Sequence, residues 1–128
     1  MQSSHIDLLI RIKNGYMAHK ESVTTWHSKL KEDILKILKK LGYIADYSVD
    51  KKNRNEITVV LSYEDNIPMF TDVKIFSKPG RKVYLKSTEI RTDRSGISSK
   101  VLTTSRGVMT DVDAKKSRVG GELLFEIS

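Results

Sequence analysis

The sequence predicts an α+β protein in two small lobes, with N-terminal helices packed on a short β-sheet and a C-terminal lobe of mainly antiparallel β-structure with a short helix. Three observations carry this. Helical periodicity is confined to the residues before Gly42 of the 128-residue chain. From Tyr43 onward, apolar and polar residues alternate with the period of a strand. The stretch Glu64 to Pro68 interrupts the alternation, which places the lobe boundary between 1–66 and 67–128.

Ile6, Leu9 and Ile10, continued by Lys13 or Met17, follow helical spacing, with Ser3 or Ser4 as the cap and Gly15 near the end. The other face carries Arg11 and Asn14, followed by His19 and Lys20, all able to hydrogen-bond outward. Ser28 opens a second helix with the apolar stripe Leu30, Ile34, Ile37, Leu38 and Leu41, and Gly42 ends it. Glu32 and Asp33 in its first turn and Lys36, Lys39 and Lys40 in its last complement the helix dipole. Lys29 and Lys31 go against that pattern, because they sit where free helical N–H groups suit a phosphate.

Tyr43, Ala45, Tyr47 and Val49, and then Ile57, Val59, Leu61 and Tyr63, predict two strands joined by the polar loop Lys51 to Asn55. In the second lobe, Val73 to Phe76 and Val83 to Leu85 are strands around the turn Ser77-Lys78-Pro79-Gly80. A further strand is expected at Lys100 to Thr104. The capping-box pattern Thr110-Asp111-Val112-Asp113 then starts one or two helical turns, and Gly120-Gly121 breaks them. Leu123, Phe125 and Ile127 alternate as the last strand.

The net charge is +7, and between Lys74 and Arg118 twelve basic residues face four acidic ones, so the second half favours polyanionic partners. The absence of cysteine excludes disulfides, thiolate metal sites and cysteine nucleophiles. No apolar run reaches the roughly 18–20 residues of a membrane span, and Met1 to Ile6 lacks the features of a signal peptide, so a cytoplasmic protein with no membrane partner is expected. His5, His19 and His27 are not at metal-ligand spacing, and no phosphate-binding glycine loop occurs. The expectation is no catalytic residue, no metal and no cofactor.

Thr103-Thr104-Ser105-Arg106-Gly107 places four donor side chains in a row before a glycine that admits close backbone approach. Hydroxyls reach phosphates, ribose 2′-OH groups and base edges, and Tyr84 offers a face for stacking on an unpaired base. A Thr-rich strand followed by a turn explains the same residues, and local chemistry alone gives that plainer reading the edge.

Thr104-Ser105-Arg106-Gly107-Val108-Met109-Thr110-Asp111 with Gly120-Gly121-Glu122 resembles the C-terminal signature of the small-subunit ribosomal protein eight family. Asp7 to Gly15 resembles that family's first helix, Ser28 to Lys31 the start of its second, and Ser77 to Tyr84 its mid-chain motif. The resemblance implies a two-lobed protein without enzymatic role that binds the central domain of small-subunit ribosomal RNA early in assembly, beside neighbouring small-subunit proteins. It carries RNA contact onto Thr103, Thr104, Ser105, Arg106 and Gly107, with Tyr84 nearby and Arg11, Asn14, Lys29 and Lys31 contributing from the N-terminal lobe. Thr103 stands where the family often has Ser, and Ser95 to Lys100 replaces its Gly-Leu-Gly-type approach to the loop. Some bacterial members also bind the messenger of their own operon. The alternative class is a translational repressor or RNA chaperone acting off the ribosome.

Overall fold

The computed structural model describes residues 4–50, 52, 56–65, 67–69, 72–92 and 98–128, which fall in two compact units, Ser4–Thr71 and Asp72–Ser128. The fold is α+β, with the helices concentrated in the first unit and antiparallel sheet in the second. The loop around Lys51 to Asn55 and the approach at 95–97 lie largely outside the described residues.

In the first unit, α1 (Ser4–Met17), β1 (Ser22–Trp26), α2 (Lys29–Leu41), β2 (Ile44–Asp50) and β3 (Glu56–Leu61) form a three-stranded sheet of order β1-β3-β2. Because β3 is antiparallel to both neighbours, β1 and β2 run parallel with α2 as their crossover, a split βαβ arrangement. Ser28 caps α2, its Oγ accepting from the Lys31 N–H at 3.1 Å. At the other end Gly42 has φ 86°, and the Gly42 and Tyr43 N–H groups return to the Lys39 and Leu38 carbonyls. Ile34, Leu35 and Leu38 of α2, Leu8, Leu9 and Ile12 of α1, and Ile57, Val59 and Leu61 of β3 are all buried in the core of this unit.

Two expectations change here. The buried line of α1 is His5, Leu8, Leu9, Ile12 and Tyr16, while Ile10 and Met17 are exposed, so the helix is rotated from the anticipated stripe. Apolar residues at 6, 8, 9, 10 and 12 fit two stripes. The one that wins buries Tyr16 with its hydroxyl satisfied, donating to the Tyr43 carbonyl and accepting from the Ser62 N–H. In β2 a bulge at Ala45 breaks the simple alternation: Ile44 pairs with Leu61, Tyr47 with Val59 and Val49 with Ile57, leaving Ala45 exposed and Ile44 buried. The sequence also assigned no element to β1, and the break at Glu64 to Pro68 forms the two short paired strands β4 (Tyr63–Glu64) and β5 (Ile67–Pro68).

The second unit contains β6 (Val73–Ile75), β7 (Tyr84–Leu85), β8 (Ser99–Thr104), β9 (Gly107–Thr110), α3 (Asp111–Lys116) and β10 (Gly121–Ile127). Lys78 and Arg81 close the Pro79-Gly80 turn as an isolated antiparallel bridge, but β6 and β7 on either side of it do not pair with each other. Both lie along one edge of β10, β6 on Phe125 to Ile127 and β7 on Gly121 and Glu122, while β8 takes the other edge. Buried Ser77 pins the excursion between them: its Oγ donates to the Leu123 carbonyl at 2.6 Å and accepts from the Val83 N–H at 3.0 Å. Leu123 pairs with Leu102 but Phe125 with Val101, so a bulge at Leu124 sends Leu123 and Phe125 to opposite faces instead of the shared face that alternation implies. Leu123 and Leu102 join Ile90 and Ala114 in the core under α3, and Thr110 caps that helix by accepting from the Asp113 N–H.

Candidate nucleic-acid interface

The hydroxyl-rich run is the end of a strand and a tight hairpin. Thr103 and Thr104 close β8, Thr104 pairs with Gly107, and Ser105 and Arg106 form the two-residue tip. The Thr104 hydroxyl is spent on the turn, accepting from the Arg106 N–H at 3.1 Å and donating to the Gly107 carbonyl at 2.8 Å. Gly107 has φ 108°, which a side chain would strain. These bonds define the turn, and the Ser105 hydroxyl and Arg106 guanidinium stand exposed with no partner among the described residues.

Sheet register assembles the rest of this surface. Tyr84, Glu122, Thr103 and Val108 are cross-strand partners in one row over four adjacent strands, so their side chains share one face. Tyr84 is 66% exposed. Close packing leaves no room for a side chain beside the row, since a Cβ on Gly121 would run into the Thr103 carbonyl oxygen. Glu122, an acceptor between the aromatic ring and the hydroxyls, was not foreseen as a site residue, although it closes the Gly120-Gly121-Glu122 motif.

In the first unit, Arg11 and Asn14 share a face of α1 and line a groove of about 470 Å³ with Lys20, Ser22 and Thr24. Lys20 was noted only as able to bond outward, while Ser22 and Thr24 went unnoticed because β1 did. Lys29 is exposed at the start of α2 and does not line this groove. Lys31, only 6% exposed, points inward. Its ammonium donates to Asp7 Oδ2 at 2.9 Å, Thr25 Oγ1 at 2.8 Å and the Trp26 carbonyl at 3.2 Å. Asp7 also accepts from Arg11 Nε at 3.1 Å. Burial pushes the Asp7 carboxyl up, but the hydrogen bonds and charges of Lys31 and Arg11 outweigh it and hold it below the usual carboxylate range.

A larger groove, about 630 Å³, lies between α2 and β2 with Lys36, Lys39, Lys40 and Tyr47 on its walls. Lys39 is held there by Asp46 at 2.9 Å and Glu32 lines the opposite end, which suits a solvated helix face more than a phosphate site. Among the described residues no group of three or more His, Asp or Glu side chains could hold a metal ion, and no helix is long and apolar enough to cross a membrane.

Exposed donors thus gather at the β8–β9 hairpin and on one face of α1. The family model for Ribosomal protein S8 matches residues 5–128. The chain is 42% identical over 120 residues to small ribosomal subunit protein uS8 of Mycoplasmopsis synoviae, covering 92% of this chain and 91% of the relative. It is 42% identical over 125 residues to the protein of that name in Persephonella marina, with 92% of each covered, and 44% identical over 119 residues to that of Dictyoglomus thermophilum, covering 92% and 91%. The chain belongs to the Ribosomal protein S8 family and is a structural, non-enzymatic protein of the small ribosomal subunit.

Proposed function

We propose that the protein binds the central domain of small-subunit ribosomal RNA directly and supports its assembly, with the β8–β9 hairpin and the Tyr84 face as the specific contact. The observation that carries this is the row Tyr84, Glu122, Thr103 running toward a hairpin tip whose Ser105 and Arg106 side chains have no partner among the described residues. Ser105 and Thr103 offer hydroxyls to phosphates and ribose 2′-OH groups. Tyr84 stacks on an unpaired base, a contact of about 1–3 kcal/mol. Arg106, with Arg11, Lys20 and Lys29 on the other unit, neutralises phosphates and contributes affinity that falls with salt, and Asn14 adds a neutral amide able to hydrogen-bond. Thr104 and Gly107 shape the turn, and Lys31 acts from the interior.

Neighbouring small-subunit proteins are further partners in this reading, and a messenger from its own operon would use the same hairpin. Photocrosslinking of the complex with a central-domain RNA fragment tests it. Crosslinks at Tyr84 and the hairpin tip are expected, and crosslinks confined to the Lys36, Lys39 and Lys40 groove would overturn it.

A further inference from the structure

Asp7 lies in the first turns of α1, and its carboxylate gathers donors from three elements. Lys31 Nζ of α2 and Thr25 Oγ1 of β1 reach Oδ2 at 2.9 and 3.2 Å, and Arg11 Nε, one turn along α1, reaches Oδ1 at 3.1 Å. Arg11 is caught a second time, donating from Nη1 to the Thr24 carbonyl at 3.3 Å. Its remaining N–H donors have no partner among the described residues and open onto the groove with Asn14, Lys20 and Ser22.

We infer that Asp7 is a positioning residue for RNA recognition: anchored from the interior by Lys31 and Thr25, it fixes the Arg11 guanidinium in the orientation that meets a phosphate at the α1–β1 groove. This rests on the RNA-binding reading above. An exposed Asp–Arg pair one helical turn apart contributes little alone and is easily released to a competing anion. Here the carboxylate cannot follow the arginine outward, because the ammonium of buried Lys31 spends its donors on Asp7, Thr25 and the Trp26 carbonyl. Arg11 is thereby held at two points before RNA arrives, and less rotamer freedom is lost on binding.

Charge alone makes the opposite prediction, which gives the test its edge. A carboxylate beside an anion-binding arginine lowers the local positive potential, so Asp7→Asn should tighten binding to any RNA if potential is what matters. The experiment measures affinity of the full chain for a central-domain ribosomal RNA fragment and for an unrelated duplex of equal length, using wild type, D7N, R11A, the double variant and R11K. D7N is expected to lose about tenfold on the fragment while binding the unrelated duplex as well as wild type or better. It should add no further loss in the R11A background. R11K, which leaves the Asp7–Lys31 contact intact, should lose a similar amount despite keeping its charge. D7N binding the fragment as tightly as wild type, or an equal loss with and without Arg11, overturns the inference. If D7N does not fold by far-ultraviolet circular dichroism, R11K decides, and wild-type affinity there overturns it. A wild-type protein that does not prefer the fragment would overturn the RNA reading itself and this inference with it.

Discussion

The Lys31 ammonium lies 2.9 Å from the Asp7 carboxylate inside the N-terminal unit, although Lys31 belongs to the helix start whose sequence suggests an outward phosphate site. The pair joins α1 to α2, and Thr25 ties both to β1.

Lys31→Met keeps the apolar stem and removes the ammonium, leaving Asp7 with Arg11 and Thr25 only. Because Lys31 is buried and Asp7 is partly open to solvent, we expect a loss of about 2 kcal/mol, below the range for a fully buried pair. Urea unfolding checks this, and an unchanged midpoint would show that the network contributes nothing to stability.

The same pair sets a pH dependence. The folded Asp7 carboxyl is held below its ordinary value while the unfolded one titrates near about 3.9, so in that window the unfolded state binds more protons. Stability from Asp7 is therefore complete above the unfolded value and is lost as pH falls through the folded one. Asp7→Asn should flatten the decline in urea midpoint between about pH 5 and pH 3. Asp46 is lowered too, by hydrogen bonds from Lys39 and the Tyr47 N–H, but it is exposed, so the comparison belongs in moderate salt, which screens that pair. An identical slope in both proteins would contradict the assignment.

Ser77→Ala removes the hydroxyl that serves the Leu123 carbonyl and the Val83 N–H, and leaves both groups short of a partner beneath the Tyr84 strand. We expect a loss of about 2 kcal/mol and faster amide exchange at Val83 and Tyr84. Unchanged exchange there would mean that β10 alone holds β7 in place.

Element existence was largely legible in the sequence, because caps, periodicity and breaks act locally. Ser28, Gly42 and Thr110 each do in the structure what their patterns announce. What escaped was decided by partners far along the chain. The face of α1 depended on the tyrosine pocket formed with Tyr43 and Ser62, and the bulges at Ala45 and Leu124 depended on the register of β3 and β8. For the proposed site, the hairpin donors stand in one continuous run and Tyr84 closes the stretch Ser77 to Tyr84. Asp7 and Thr25 were recoverable only in part: Asp7 precedes Arg11 by four residues, a helical pairing distance, but nothing local links either to Lys31.

Lys36→Gln with Lys39→Gln tests the larger groove. Since Lys39 complements the α2 dipole from the last turn and is tied to Asp46, while Lys36 lies mid-helix on the same exposed face, specific RNA affinity should fall by less than about twofold. A large loss would move the RNA surface to the α2–β2 side.

The most direct test of the central claim is a salt-dependent titration of the protein against a central-domain ribosomal RNA fragment, with an equally long unrelated duplex as control and the Ser105→Ala variant alongside. We expect tight wild-type binding to the fragment that persists at moderate salt, weak and salt-labile binding to the control, and a loss of about 1–3 kcal/mol in the variant on the fragment only. Equal, salt-labile binding of the wild type to both RNAs would contradict the account and leave only a generic basic surface.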